Sequence, residues 1–254
     1  MERKKQIVST AFRGAAALAA ALLVAAEFWG CAKEARQPAE KVYLHKVEEG
    51  ETVSDVADEY YGDPQRASAI EKFNGLEDES VPPGTVLRVP MSDADIGRLA
   101  TREKARVSYN KGLELVQKAA YIDAVTEFES ALSVDPGFAD ARYNLGVTLQ
   151  MLKSYDRAKE QLEKAVELRP KNTSYQFALG TALFHLDEFS RACSAFEAVL
   201  ESDVEDTKAL YSLAVCYEKL GEKDKAIAAW ERYLELDATS GWAAEARKRL
   251  DALK

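Results

Sequence analysis

ARVSYNKGLELVQKAAYIDAVTEFESALSVDPGF, residues 105–138, is followed directly by ADARYNLGVTLQMLKSYDRAKEQLEKAVELRPKN, residues 139–172. Laid one over the other, small residues meet small residues and large ones meet large ones, and the register continues through 173–206 and 207–240. Gly112, Gly146, Gly180 and Ala214 recur every 34 residues, and Leu115, Leu149, Leu183 and Tyr217 follow one helical turn on. Ala124, Ala158, Ala192 and Ala226 come twelve residues after the small position, with Phe128, Leu162, Phe196 and Trp230 four beyond those. Each unit thus carries two short helical patterns. Antiparallel helices approach closely only where small side chains meet at the crossing, so the Gly and Ala positions set the approach and the large residues fill the seam. Pro136 and Pro170 stand at the bend between units, since proline fits poorly inside a helix. Val204 and Ala238 hold that register in the last two units, which predicts less sharply defined bends there.

One unit cannot bury its apolar face alone, whereas four stacked units can. Beyond Ala238, Trp242, Ala246, Leu250 and Leu253 form one more amphipathic stripe, with Glu245, Arg247, Lys248 and Arg249 expected outside. Small residue, large apolar residue, Ala, aromatic and Pro at these offsets resemble the tetratricopeptide repeat. The resemblance implies a mainly α fold: an α-solenoid of four helix-turn-helix repeats at 105–138, 139–172, 173–206 and 207–240, with a capping helix at 241–254. It further implies a concave groove, lined by the first helix of each repeat, that takes a peptide or protein partner. The matching positions are Tyr109, Tyr143, Phe177 and Tyr211, one per repeat, with Asn110 and Asn144 beside the first two. An aromatic row offers apolar area, and asparagine pairs both donor and acceptor of a peptide backbone. The same aromatics serve equally as packing residues, and both readings stand. Met151, Phe184 and His185 are expected nearer the lip of that surface.

A second pattern lies upstream. Val42–Val47 reads as a strand, Glu48-Glu49-Gly50-Glu51-Thr52 as a turn, and Val53, Val56, Ala57 and Tyr60 as a helix stopped by Gly62-Asp63-Pro64. Another helix runs from about Pro64 to Phe73 and stops at Asn74-Gly75, and Pro82-Pro83-Gly84 turns into a strand at Val86–Pro90. This βααβ order, with His45-Lys46-Val47-Glu48-Glu49-Gly50-Glu51-Thr52 at its start and Pro83-Gly84-Thr85-Val86-Leu87-Arg88-Val89-Pro90 at its end, resembles the LysM domain over 42–90. The resemblance implies binding of N-acetylglucosamine glycans, peptidoglycan in bacteria, in a shallow groove between two loops. The matching residues are Gly50, Glu51, Thr52 and Val53 in one loop and Asn74, Gly75 and Leu76 in the other. Gly50 permits close backbone approach, and N-acetyl groups need amide partners beside a small apolar seat. Glu51 stands where the family more often has Asp.

At the N-terminus, Glu2-Arg3-Lys4-Lys5 precedes an apolar run from Gly14 to Ala26, shorter than the roughly 20 residues that span a bilayer. This reads as a secretory signal peptide over 1–30, with a retained membrane anchor as the alternative. Phe28-Trp29-Gly30-Cys31 resembles a bacterial lipoprotein processing site, which implies a lipid on Cys31 and, with Ala32 next, the outer membrane. The other reading is an unmodified thiol. Residues 31–41 are polar and contain Pro38, so they read as a tether that reaches at most about 33–36 Å over ten residues. Ser92-Asp93-Ala94-Asp95 forms a capping-box pattern, and a helical linker over 91–104 is expected to limit the orientations of the flanking domains.

The formal charge of −9 is spread along the chain without a basic stripe, which argues against nucleic acid. Two histidines and three cysteines show neither a zinc spacing nor a disulfide framework, and no catalytic, metal or cofactor motif emerges. Cys193 and Cys216 read either as two buried thiols or as a bridge between the third and fourth repeats. The assembled reading is a non-enzymatic cell-envelope adaptor, periplasmic or lipid-anchored, that binds peptidoglycan through one part and a protein through the other. Competing readings are a peptidoglycan hydrolase subunit or activator, and a pilus or secretion assembly factor.

Overall fold

The computed structural model describes residues 41–77 and 81–254, so the expected leader, Cys31 and the tether up to residue 40 lie outside the described residues. The chain forms two compact units. One holds the described residues through Asn110 together with Ser133–Gly137, and the other holds Lys111–Leu132 with Phe138–Lys254.

In the first unit, β1 (Lys41–Lys46) pairs antiparallel with β2 (Val86–Met91), in a register running from Lys41 opposite Met91 to Lys46 opposite Val86. Between them lie α1 (Val53–Tyr61), a 3-10 turn (Pro64–Arg66) and α2 (Ala67–Asn74). Thr52 starts α1 with a capping box: its hydroxyl accepts from the Asp55 N–H at 3.2 Å, and the Asp55 carboxylate accepts from the Thr52 N–H at 2.8 Å. Gly62 and Gly75 end the two helices at φ +66° and +68°, the left-handed region where a β-carbon is strained. Val47, Val53, Val56, Ala57, Ile70, Leu87, Val89 and Met91 build the core, and the buried Tyr61 donates its hydroxyl to Pro90 O at 2.8 Å.

α3 (Asp93–Gln117) opens on the capping box read in the sequence: Asp95 N–H donates to Ser92 Oγ, and Ser92 N–H to Asp95 Oδ2, both at 3.1 Å. The Asp95 carboxylate is buried and also accepts from Arg66 Nη1 at 2.7 Å and Nη2 at 3.3 Å. The Arg66 guanidinium, aided by Ser92, holds its pKa down at about 2. α3 then runs unbroken to Gln117, so the stretch leading into the first repeat is helical.

The second unit contains the repeat helices α4 (Tyr121–Val134, as far as Leu132), α5 (Ala139–Met151), α6 (Tyr155–Leu168), α7 (Thr173–His185), α8 (Phe189–Ser202), α9 (Thr207–Leu220) and α10 (Lys223–Leu236), closed by α11 (Gly241–Leu253). The crossings are as tight as the small residues require. A β-carbon on Gly146 would lie 2.5 Å from Leu162 Cγ, one on Gly112 2.6 Å from Phe128 Cε1, and one on Gly180 2.7 Å from Phe196 Cε1. None of these separations is sterically possible for carbon.

Two features were not read from the sequence. The turn inside each repeat places Ala119, Lys153, Asp187 and Gly221 at φ +57°, +58°, +59° and +74°, one position at the 34-residue period, and only the last is glycine. In addition, Arg157 pairs with Glu129 at 2.8 Å and Arg191 with Glu163 at 2.6 Å, so the same offset links successive second helices. Exposed pairs of this kind contribute about 0–1 kcal/mol each, and they mark the register more than they hold it.

Three expectations need correction. The bends at Val204 and Ala238 are well defined without proline, because the preceding aspartate caps each one. Asp203 Oδ1 accepts from Glu205 N–H at 3.1 Å, and Asp237 Oδ1 accepts from Thr239 and Ser240 N–H at 3.3 and 3.0 Å. The Ser240 hydroxyl, with further donors, depresses the Asp237 pKa to about 2. On α11, Arg249 reaches Glu218 Oε2 at 3.2 Å instead of facing outward, because that carboxylate already receives Trp230 Nε1 and has an oxygen free for it. Trp242 is 57% exposed and lies edge-on to Tyr211. Between the two readings of the cysteines the structure decides for thiols. Cys193 and Cys216 are free and buried, and burial raises both pKa values, which disfavours the reactive thiolate.

Two stability outcomes follow. Gly146→Ala should destabilise the repeats by about 1–3 kcal/mol through overpacking, whereas Gly97→Ala, in mid-helix with open space around it, should stabilise by about 0.5–1 kcal/mol. Urea titration of the full chain followed by helical circular dichroism checks both. For Asp95, a folded pKa depressed below 3.8 means stability that is present at neutral pH and lost as pH falls towards 2. Asp95→Asn should therefore lower amide protection in α1 and α2 by about 1–2 kcal/mol at pH 7, with the gap closing near pH 2. Hydrogen exchange at the two pH values checks the sign.

Candidate functional site

The two loops matched to glycan binding belong to the first unit and share its core. The chain leaves β1 at Lys46, and Val47 exchanges backbone hydrogen bonds with the 84–85 turn: its N–H donates to Thr85 O at 2.9 Å, and its C=O accepts from Gly84 N–H at 2.8 Å. Gly50 then turns the chain at φ +78° with open space around it, so conformation rather than room demands glycine there. In the other loop Gly75 is exposed, and Leu76, half-buried, packs on the cluster that contains Val47 and Val53.

Most of the named side chains are engaged internally. Val53 is fully buried at 0% exposure, and Thr52 is committed to capping α1. Asn74 ties α2 to β2: Nδ2 donates to Ile70 O and Arg88 O, both at 2.8 Å, and Oδ1 accepts from Arg88 N–H at 2.9 Å. What the loops leave open is chiefly the backbone at Gly50 and the carbonyl of Gly75, since the Gly75 N–H donates to Glu71 O in the cap of α2 and the Leu76 N–H does the same at 3.0 Å. Backbone amides and carbonyls beside a small apolar surface suit a neutral, amide-bearing ligand better than a charged one.

Glu51 turns inward. Its Oε2 accepts from Glu48 N–H at 2.8 Å and meets His45 Nε2 at 2.9 Å, and the side chains of Glu51 and His45 are each 12% exposed. The other ring nitrogen, Nδ1, lies 3.9 Å from Glu59 Oε2 on α1. Tyr60 packs edge-on against the His45 ring at 5.6 Å, and burial, followed by the nearby Glu59 and Glu51, pushes its phenol up to about 12. Burial also raises the Glu59 pKa against the lowering effect of His45. The three residues offer donor atoms within 4.8 Å of one another. Yet the two acids approach different ring nitrogens, and one imidazole presents a single nitrogen to an ion, so the arrangement does not suit a chelate through all three side chains. The sequence reading placed His45 only as a strand residue. Its link to Glu51 and Glu59 depends on where the turn and α1 fold back, which no local pattern states.

The row expected to face a partner is partly sunk into the repeats. Tyr143 stacks on Tyr175 with ring centroids 4.9 Å apart, Phe177 tilts against Phe196 at 5.5 Å, and Tyr211 meets Trp230 edge-on at 4.9 Å. All three keep part of their surface open. Asn144 Nδ2 donates to Asp140 O at 2.8 Å within its own helix. Tyr109 and Asn110 belong to the first unit, the tyrosine 8% exposed and the asparagine exposed. Of the residues expected at the lip, Met151 is 59% exposed, Phe184 is half-buried, and His185 stacks on Tyr155 at 4.3 Å.

Comparison with known proteins agrees with this division. The family model described as LysM domain matches residues 45–90, that of the tetratricopeptide repeat matches 115–183, and that of the anaphase-promoting complex, cyclosome, subunit 3 matches 162–233. Among solved structures, YrrB, described as a TPR protein with an unusual peptide-binding site, is 28% identical over 61% of this chain and 79% of its own, with a TM-score of 0.54. A crystal structure of MamA protein is 25% identical over 59% of this chain and 86% of its own, with a TM-score of 0.53. MamA 41-end from Desulfovibrio magneticus RS-1 shares the fold at 21% identity, covering 59% of this chain and 94% of its own, again with a TM-score of 0.53. A search of curated proteins finds no match. Among the described residues no helix is long and apolar enough to cross a membrane. The first module is thus a glycan-binding type of domain and the repeats a protein-interaction type: the chain is a LysM domain followed by a solenoid of tetratricopeptide repeats.

Proposed function

We propose that the protein is a non-enzymatic cell-envelope adaptor. It grips peptidoglycan through the backbone-lined loops at Gly50–Val53 and Asn74–Leu76, and it recruits a protein through the first helices of the repeats, with Tyr143, Phe177 and Tyr211 as anchors. The observation that carries this reading is the joining of two binding-type modules in one chain. The peptide-binding site described for YrrB supports the second half, because that TPR protein matches 61% of this chain at 28% identity. Half-sunk aromatics fit the role: they keep contact area open while losing little side-chain freedom on binding. The chemistry of the first half is modest. A shallow loop pair buries little area, so affinity for one glycan chain should be weak and retention on a polymer should depend on many sites. On this reading Cys31 carries the lipid and the protein faces the periplasm from the outer membrane.

Incubated with purified sacculi, the full chain should co-sediment and release no soluble fragments. Release of muropeptides would sink the non-enzymatic reading, and protein left wholly in the supernatant would sink the glycan one. The anchor is tested separately: Cys31→Ser should shift the protein from the detergent-extracted membrane fraction to the soluble fraction, because acyl chains supply the membrane affinity. Equal membrane retention of both forms, with residues 1–30 still attached, would replace the lipid with a retained apolar anchor.

A further inference from the structure

We infer that the outer face of the sheet formed by β1 and β2 is a docking surface for a lipid bilayer with anionic headgroups, held against the membrane by the chain that precedes β1. The nearness of a membrane rests on the reading of the N-terminus given above; the chemistry of the face does not.

Strand alternation divides the sheet into two faces, and the register fixes their members. Leu87, Val89 and Met91 join the core, and Tyr43 packs against it. The other face therefore carries Val42 opposite Pro90, Leu44 opposite Arg88 and Lys46 opposite Val86. An antiparallel sheet with one face on its core ordinarily turns polar side chains to water on the other. Here the solvent side is mostly apolar: Val42 is 40% exposed, Leu44 50% and Val86 54%, and none of them belongs to the core. Single exposed aliphatics are common, but three among six neighbouring positions form a patch.

Both charged residues of the face are cations, in a chain whose formal charge is −9. Arg88 donates through Nη2 to Phe73 O at 3.2 Å and lies 5.2 Å from the Phe73 ring, contacts that leave its charge unneutralised. Aliphatic side chains flanked by cations suit a surface that is negative outside and apolar beneath, because long basic stems reach headgroups while the aliphatics sink between them. A second copy of the chain suits the face less. Six residues at about 3.4 Å on two strands about 4.8 Å apart cover on the order of 200 Å², against the roughly 800 Å² per partner of a stable dimer. A bilayer needs no such area when the chain is already held beside it. Residues 31–40 reach at most about 33–36 Å, and a retained apolar anchor ending at Ala26 would add only residues 27–30 to that span. Either way β1 begins within about 50 Å of the headgroups, and so short a connection raises the effective concentration enough to populate a weak surface contact.

The test attaches the full chain through Cys31 to a maleimide phospholipid, so that attachment does not depend on lipidation in a cell; Cys193 and Cys216 are buried and do not compete. Vesicles are phosphatidylcholine alone or with phosphatidylglycerol as the minor component, and the reference is the same chain capped at Cys31 with a soluble maleimide. A water-soluble acetylating reagent reads Lys46, with the exposed Lys104 on α3 as internal control. On anionic vesicles the ratio of Lys46 to Lys104 labelling should fall roughly three- to tenfold, and by less on phosphatidylcholine alone, with added salt shrinking the difference. Leu44→Gln combined with Val86→Thr should restore the ratio, with circular dichroism unchanged because both side chains lie outside the core. Leu44→Gln alone, with a smaller effect in the same direction, serves if the pair fails to fold. A ratio that attachment leaves unchanged overturns the docking face. So does a fall that persists in the folded double variant, which makes the chain before β1 the shield, and so does a lipid-independent fall that grows with protein concentration, which puts a second copy on the face. Protection of Lys46 on these vesicles by a chain that is absent from the membrane fraction of its own cells supports the face and overturns the reading of the N-terminus instead.

Discussion

The repeats depend on helix pairs that meet with no room for a β-carbon. At Gly146 the nearest side-chain atom would be 2.5 Å from the missing carbon, and at Gly112 and Gly180 aromatic carbons close the same gap at 2.6 and 2.7 Å. Such contacts bring the large residue of one helix onto the backbone of its partner, which is where dense packing gains most dispersion energy. The fourth repeat meets the same constraint differently. Ala214 has a methyl group at the crossing, and Trp230 fills the seam while its ring nitrogen donates to Glu218 at 2.6 Å. That carboxylate then takes Arg249 of α11, so one acid links the tryptophan seam to the closing helix, whose Ala246 and Leu250 share its apolar cluster.

How much of this was legible depends on whether the governing interaction is local or periodic. The small and large positions repeat at one spacing, so the helix pairs, the helical entry at Ser92–Asp95 and the βααβ order could all be read from the chain. The turn conformation at Ala119, Lys153 and Asp187 was not read, because three non-glycine residues at positive φ carry no compositional signal. The bends at Val204 and Ala238 were misjudged for a related reason. Proline was taken as the device, whereas Asp203 and Asp237 at one register do the same work by accepting backbone N–H groups. A side-chain cap and a rigid ring both stop a helix, and only the second is conspicuous in a sequence.

The candidate glycan loops show the same limit at finer scale. Gly50 and Gly75 were legible, since positive φ calls for glycine and both stand at turns. The roles of Glu51, Thr52 and Asn74 were not, because a polar residue beside a turn looks alike whether it faces a ligand or fastens the turn. Hydrogen-bond accounting separates the two. Asn74 spends both amide hydrogens and its oxygen within the module, and Thr52 and Asp55 satisfy each other. A polar group already paired at good geometry gives up that bond to meet a ligand, and the exchange yields little net free energy.

This accounting also explains how one small module can hold a surface for recognition without weakening itself. With fewer than fifty residues it has few core contacts to spare, and burying an unpaired amide or carboxylate would cost about 1–3 kcal/mol. Each inward polar group therefore closes a bond: Tyr61 to Pro90, Asn74 to Arg88, Glu51 to Glu48 and His45. What remains for recognition is backbone at two turns that glycines hold at fixed angles, the Gly75 N–H itself being spent on the cap of α2. Such a surface is already organised before binding, so it needs little side-chain ordering to meet a ligand, and its specificity follows from shape and amide geometry.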